Sequence, residues 1–303
     1  GDLWIATYNG GLVRMRDGRF TSAGDAVGLA EASHVMALHR GPTGDLWIGT
    51  LDQGLHRWRD SGFERVPMPA EFADAGIIAV REAADRTLWV GTHRGLAYCR
   101  DGRWSELPLP DAGRGQPVWA LHTDADGTLW TGAGRALLSY RDGCFVQYDP
   151  PRGTSWDYVR SIMRDRQGVL WVCTYNGGLI RLRDGRCEAL SQADGLGGDA
   201  VHALYEDREG SLWVGTFHGG LNRLRDTPFT TIDQTTGLPT DHVRAVYRAR
   251  DGALWVACDS EGLVRVRDGE IRQWTTADGL PGATVHTLCE GPDGAIWFGT
   301  DRG

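Results

Sequence analysis

"YNGGLVRMRDGRF" (residues 8–20) returns as "YNGGLIRLRDGRC" (residues 175–187), 167 positions later. Two such stretches are either two sites or two copies of a scaffold, and scaffold copies must recur evenly between them. They do. A Leu/Ile-Trp pair just upstream recurs with Trp at 4, 47, 89, 130, 171, 213, 255 and 297, at intervals of 43, 42, 41, 41, 42, 42 and 42. A period near 42 held from end to end is a repeat architecture and has to be read before any local motif.

One repeat shows what is being built. "AVHALYED" (200–207) is a short apolar run, "REG" turns the chain, and "SLWVGT" (211–216) follows. After the loop "FHGG", "LNRLRD" (221–226) alternates apolar and polar residues, and "FTTID" (229–233) is a fourth short run. Four short strands separated by Gly/Asp turns read as an antiparallel meander. No window offers an amphipathic helix of useful length. A four-stranded sheet repeated in this way is a propeller blade. The predicted fold is therefore an all-β propeller of four-stranded antiparallel blades, a single domain over 1–303.

The strand count favours seven blades. First strands open at Val35, Ile77, Val118, Val159, Val201, Val243 and Val285, and third and fourth strands also number seven, against eight Trp strands. In a closing blade, the Val285 and Ile296 strands would join Leu12–Arg16 and Phe20, leaving Leu3–Thr7 and Ile296–Thr300 to contend for one place. The Trp residues are expected in the core between blades. The residue two after each is small (Ala6, Gly49, Gly91, Gly132, Cys173, Gly215, Ala257, Gly299), which would let the neighbouring sheet approach.

Bulk properties narrow the function classes. A net charge of -8 argues against a nucleic-acid footprint, which would be basic. No apolar stretch approaches the ~20 residues that span a bilayer. Glycine, at 43 of 303 residues, is roughly twice its ~7% average, as many tight turns require. Cys99, Cys144, Cys173, Cys187, Cys258 and Cys289 never form a CxxC pair, so neither a zinc ribbon nor a redox motif is expected. No metal and no cofactor is predicted. Gly1 falls inside a repeat, which reads as a piece of a longer chain.

The repeat "GxLWIGTxxGGLxRxRDG", with "DGLPGATVHTL" (278–288), closely resembles the two-component-regulator propeller repeat. The resemblance spans the whole chain. It is weaker around Trp130, where "TGAGRALLSY" lacks the Gly-Gly pair, and around Trp89, where the following connection lacks "GL". It implies the extracytoplasmic, periplasmic sensor part of a bacterial membrane-bound signalling protein, a hybrid histidine kinase or a diguanylate cyclase. Its expected partners are a saccharide or other small-molecule ligand, downstream immunoglobulin-like and transmembrane signalling domains, and a second copy in a homodimer. The family has no catalytic residues in its propeller, so none is assigned here. A generic protein-interaction propeller is the alternative, and a propeller enzyme is the less favoured one. "TDADGTLW" (123–130) resembles the sialidase Asp-box, itself a structural turn, and no arginine cluster with a Tyr/acid pair accompanies it. The repeat is also distantly similar to streptogramin lyases, which use a catalytic His and a divalent metal. No spacing around His202 or His286 picks out such a site.

Alternating strand direction sorts the loops by face. One face carries uniform Asp-Gly hairpins. The other carries the divergent second-to-third loops "YNGG", "LDQG", "HRG", "AGR", "YNGG", "FHGG" and "DSEG", where recognition is expected. Candidate binding residues there are Tyr8, Asn9, His93, Arg94, Arg135, Tyr175, Asn176, Phe217, His218 and Asp259, with Trp119 and Trp156 in or just before first strands. The plainer reading is that the Asn residues satisfy their turns and the His and Arg are solvated. The residue after each opening Val/Ile reads Met36, Ile78, Trp119, Arg160, His202, Arg244, His286. If it faces a channel, Arg160, His202, Arg244 and His286 would form a basic arc that attracts anions. If it turns between blades, the arginines would pair with acids.

Overall fold

The computed structural model describes residues 2–6, 12–16, 19–22, 34–59, 62–224, 230–267, 269–291 and 295–300. Chain order begins with β1 (Asp2–Ala6), β2 (Leu12–Arg16) and β3 (Arg19–Ser22), which form one antiparallel sheet. Four complete four-stranded meanders come next. They are β4 (Val35–Arg40) to β7 (Gly62–Arg65), β8 (Ile77–Glu82) to β11 (Arg103–Leu107), β12 (Val118–Thr123) to β15 (Cys144–Tyr148), and β16 (Ser161–Arg164) to β19 (Arg186–Leu190). Two more are β20 (Val201–Glu206) to β23 (Thr230–Ile232) and β24 (Val243–Arg248) to β27 (Glu270–Trp274), and β28 (Val285–Glu290) pairs with β29 (Ile296–Thr300).

The fold is an all-β propeller of four-stranded antiparallel blades, six of them complete. The strands left at the two chain ends agree with a count of seven. β1 and β29, both Trp strands, lie close together, yet β1 pairs with β2 and β29 with β28. A four-residue α-helix, α1 (Ala70–Ala73), interrupts the β7–β8 connection, where no helix is expected from the sequence pattern. Among the described residues no helix is long and apolar enough to cross a membrane. Two compact units divide the chain, Val35–Glu188 on one side and Gly1–His34 with Ala189–Gly303 on the other.

Within each unit, the core sits between successive sheets. Trp47 packs with Ile77 and Val80 of the next blade, and Trp213 with Val243 and Val246. Trp47, Trp89, Trp130, Trp171 and Trp213 are only 5–7% exposed. The small residue two positions on is required by this packing. A Cβ on Gly49 would sit 2.6 Å from Ile77 Cγ2, and one on Gly215 would sit 2.7 Å from Val243 Cγ1. In these blades the opening Ile77 and Val243 thus fill the space left by the glycine behind them.

The repeated Arg of the third strand has a structural task too. Arg57 lies opposite Trp47 and Arg223 opposite Trp213, with the guanidinium 5.4 and 5.1 Å from the respective ring. Each buried indole N–H also needs an acceptor. Asp124, Asp165 and Asp207, each six residues before the Trp in its own turn, accept from Trp130, Trp171 and Trp213 at 2.7, 2.7 and 2.8 Å. Where that position is Gly41, Glu82 of the next blade reaches back to Trp47 at 2.7 Å. Trp255 departs from the expected burial. Ala249 stands at its acid position, its N–H has no partner among the described residues, and its ring is half-buried against Trp274 at 5.2 Å. The side chains of Trp4 and Trp297 lie outside the described residues.

Candidate ligand-recognition face

Two local devices set the divergent face. The first is a β-bulge at the start of the first strands. Val118 pairs with Ala133 and Ala120 with Gly132, which leaves Trp119 as the extra residue. His202, Arg244 and His286 are the extra residues in their own blades by the same register shift. A bulge bends the strand and re-aims one side chain, so the position singled out in the sequence is a structurally special one. Arg160 holds the same place ahead of β16, its N–H bonded to the Cys173 carbonyl at 2.9 Å.

The second device is a threonine lock. Thr174 Oγ1 donates to the Gly178 carbonyl at 2.9 Å and accepts the Gly177 N–H at 2.9 Å. Thr216 makes the same pair of bonds with Gly220 and Gly219, at 2.9 and 3.1 Å. The Thr-x-x-Gly-Gly pattern therefore fixes the loops that carry Tyr175–Asn176 and Phe217–His218. Divergent side chains stand on a uniform frame.

In the Val35–Glu188 unit these devices bring four predicted residues together. The Arg160 guanidinium lies 4.7 Å from the Trp119 ring centre and 5.6 Å from that of Tyr175, a cation between two aromatic faces. His93 meets Trp119 edge-on at 5.6 Å. The Trp119 indole nitrogen is screened from solvent and has no hydrogen-bond partner among the described residues. Nearby in the chain, Arg135 projects into solvent and pairs with Asp157 at 2.7 Å. Tyr158, next to that acid, is 48% exposed and has a positive φ of 44°, a costly conformation for an aromatic residue.

The other unit gathers a different set. Phe217 is stacked between His202 at 5.2 Å and His242 at 5.3 Å, with interplanar angles of 20° and 9°. His218 Nδ1 lies 3.1 Å from His242 Nε2. Arg244 covers Phe217 at 5.3 Å, approaches His286 Nδ1 at 3.4 Å and forms a 2.7 Å ion pair with Asp259. Thr284 Oγ1 donates to the same carboxylate at 3.0 Å. Burial pushes the Asp259 carboxyl up, but the Arg244 bond and charge and the Thr284 hydroxyl outweigh it and hold the group below the usual range.

These contacts correct two expectations. Arg244, one member of the expected basic arc, is not an uncompensated charge, because Asp259 neutralises it. Trp156 is a core side chain, 2% exposed and donating to the Tyr148 carbonyl at 2.7 Å, so it offers no platform. Arg94 is exposed and lies elsewhere, lining a cleft of 220 Å³ with Glu71, Phe72 and Glu106 beside α1. Asn176 is exposed in its loop, and Tyr8 and Asn9 lie outside the described residues. His242, Asp157 and Tyr158 were not singled out by sequence. His242 stands one residue before an opening Val, just outside the compared position. Among the described residues no group of three His, Cys, Asp or Glu side chains is arranged to hold a metal ion.

The two component regulator propeller family matches residues 154–176, 195–218, 237–260 and 279–302. Each match runs from an interblade connection through the Trp strand into the divergent loop. These four segments match the two-component regulator propeller repeat. No curated protein matches the sequence. Virginiamycin B lyase from Staphylococcus aureus has a similar structure, with a TM-score of 0.69 at 16% identity over 88% of this chain and 92% of its own. The extracellular domain of a B. thetaiotaomicron protein named as a hybrid two component system gives 0.61 at 18% identity, over 98% of this chain. This chain spans 47% of that domain. At these identities the likeness is one of fold.

Proposed function

We propose that this chain is a non-catalytic, extracytoplasmic ligand-recognition propeller of a bacterial signal-transduction protein, acting together with further domains of a membrane-anchored chain. The repeat family supports the signalling context, and the extracellular-domain fold supports the location. The observation that carries the binding reading is the Trp119–Arg160–Tyr175 slot, where a fixed cation adjoins an indole N–H that bonds to nothing among the described residues. A screened donor without an acceptor is uncommon in native proteins and is explained most simply by a water or a ligand. Rings stack on the apolar faces of a sugar, and a guanidinium edge binds a carboxylate, so the ligand class is a saccharide or an organic anion.

A thermal-shift screen of neutral saccharides, uronic acids and simple carboxylates tests this. The triple variant Trp119→Ala, Arg160→Ala, Tyr175→Ala should lose every shift that the parent shows, and in the membrane-anchored protein it should lose signalling. Its own melting point should fall by only a few degrees, as cation–π contacts are worth about 0.5–2 kcal/mol each. Full signalling by the triple variant would refute the binding reading and leave the propeller as a positioning or interaction module.

A further inference from the structure

Four of the nine histidines of the chain, His202, His218, His242 and His286, belong to one contact cluster around Phe217 and Arg244. They come from three successive blades. His202 is on β20, His218 in the β21–β22 loop, His242 just ahead of β24, and His286 on β28. The pair at its edge sets the chemistry. At 3.1 Å, His218 Nδ1 and His242 Nε2 can share one hydrogen, with one ring donating and the other accepting. A second proton would put two N–H groups face to face, so full protonation must separate the rings. His218 is exposed, so the pair is open to solvent and to ligands.

The charges facing the pair decide its response to acid. Arg244 on β24 is already balanced by Asp259 of the β25–β26 loop. Asp199 and Asp241 accept the backbone N–H groups of Gln192 and Gln234, at 2.9 and 2.8 Å, and keep their negative charge. The cluster thus holds an arginine paired with an acid and two histidines that share a hydrogen. Any proton that enters adds positive charge beside an arginine whose own charge is already held by Asp259.

We propose that this cluster is a proton-gated anion site, which takes a small multivalent oxyanion or dicarboxylate when acid breaks the His218–His242 bond. The proposal is independent of the Trp119–Arg160–Tyr175 slot, and either can fail alone. Sulfate is the probe of choice because its charge does not change between about pH 5 and pH 7.5, where histidine titrates. Binding is read by calorimetry and by thermal shift against chloride at equal ionic strength. Sulfate should bind saturably at about pH 5 and roughly tenfold or more weakly at about pH 7.5. The double variant His218→Asn, His242→Asn should lose that difference while melting like the parent in chloride. Equal sulfate affinity at the two pH values, or no saturable binding at the lower one, would overturn the proposal on the parent protein alone. Retention of the pH step by the double variant would also overturn it.

Discussion

His39 on β4 has its Nε2 shut from water without a partner among the described residues, and the Arg81 guanidinium stands on the next blade. Burial, then the Arg81 charge, lower its pKa from 6.5 to about 4, against a smaller opposing backbone bond at Glu82. The unfolded chain therefore takes up the proton first as pH falls. The contribution of the neutral ring is whole above about pH 6.5 and is lost progressively toward about pH 4. Between pH 7.5 and pH 5 this amounts to roughly 2 kcal/mol from His39. His56, lowered by burial and Arg65 to about 4, acts in the same direction. Urea unfolding at the two pH values should show the loss, and His39→Leu should reduce it to the part that His56 contributes. An unchanged midpoint for the parent would contradict the burial of this ring. Neither histidine was legible as special in the sequence, because nothing local distinguishes a sealed imidazole from a solvated one. The same limit misplaced Trp156, whose ring turns inward.

At the scale of the element, the first-to-second turn and the Trp strand form one hydrogen-bonded device. Asp207, fully buried, accepts the Ser211 N–H at 2.8 Å and the Trp213 indole at 2.8 Å, and pairs with Arg248 of the next blade at 2.9 Å. A turn residue thereby ties its own strand to its neighbour. Asp207→Ala would leave the Ser211 and Glu209 N–H groups and the Trp213 indole without this acceptor and Arg248 with Glu209 alone, and should cost about 3–5 kcal/mol. Asp207→Asn keeps one oxygen acceptor and should cost less. Chemical denaturation of both variants checks the order, and equal losses would argue against the charge term. The sequence shows these turns as uniform Asp-Gly hairpins and so as scaffold. That Glu82 substitutes across blades where the turn holds Gly41 was not readable, since the two residues meet only through packing.

Over the whole molecule, the acid response should come in two stages. The histidines act first. Below about pH 4 the paired carboxylates respond in turn. For Asp124, burial raises the carboxyl, but bonds from His122, Arg164 and Trp130 prevail and hold it well below the usual range. Asp207 is likewise depressed, burial being outweighed by Trp213, Ser211 and the Arg248 charge. A group depressed in the folded state contributes stability above its unfolded pKa and loses it as pH falls through the folded one. Melting temperature against pH should therefore decline gently from about pH 6.5 and steeply below about pH 4. A flat profile down to about pH 3 would show that these ion pairs do not bind protons differently on folding.

By itself the sequence determined the 42-residue period, the four-stranded blade, the Trp core and the face on which loops diverge. Each follows from alternation, turn chemistry and spacing, which act over a few residues and repeat seven or eight times. Only the tertiary structure decided which charges are compensated and which rings meet. Arg244 finds Asp259 fifteen residues away, and Arg160 finds Trp119 on a separate blade. Such pairings depend on how far side chains reach across packed sheets, and no local pattern encodes that distance.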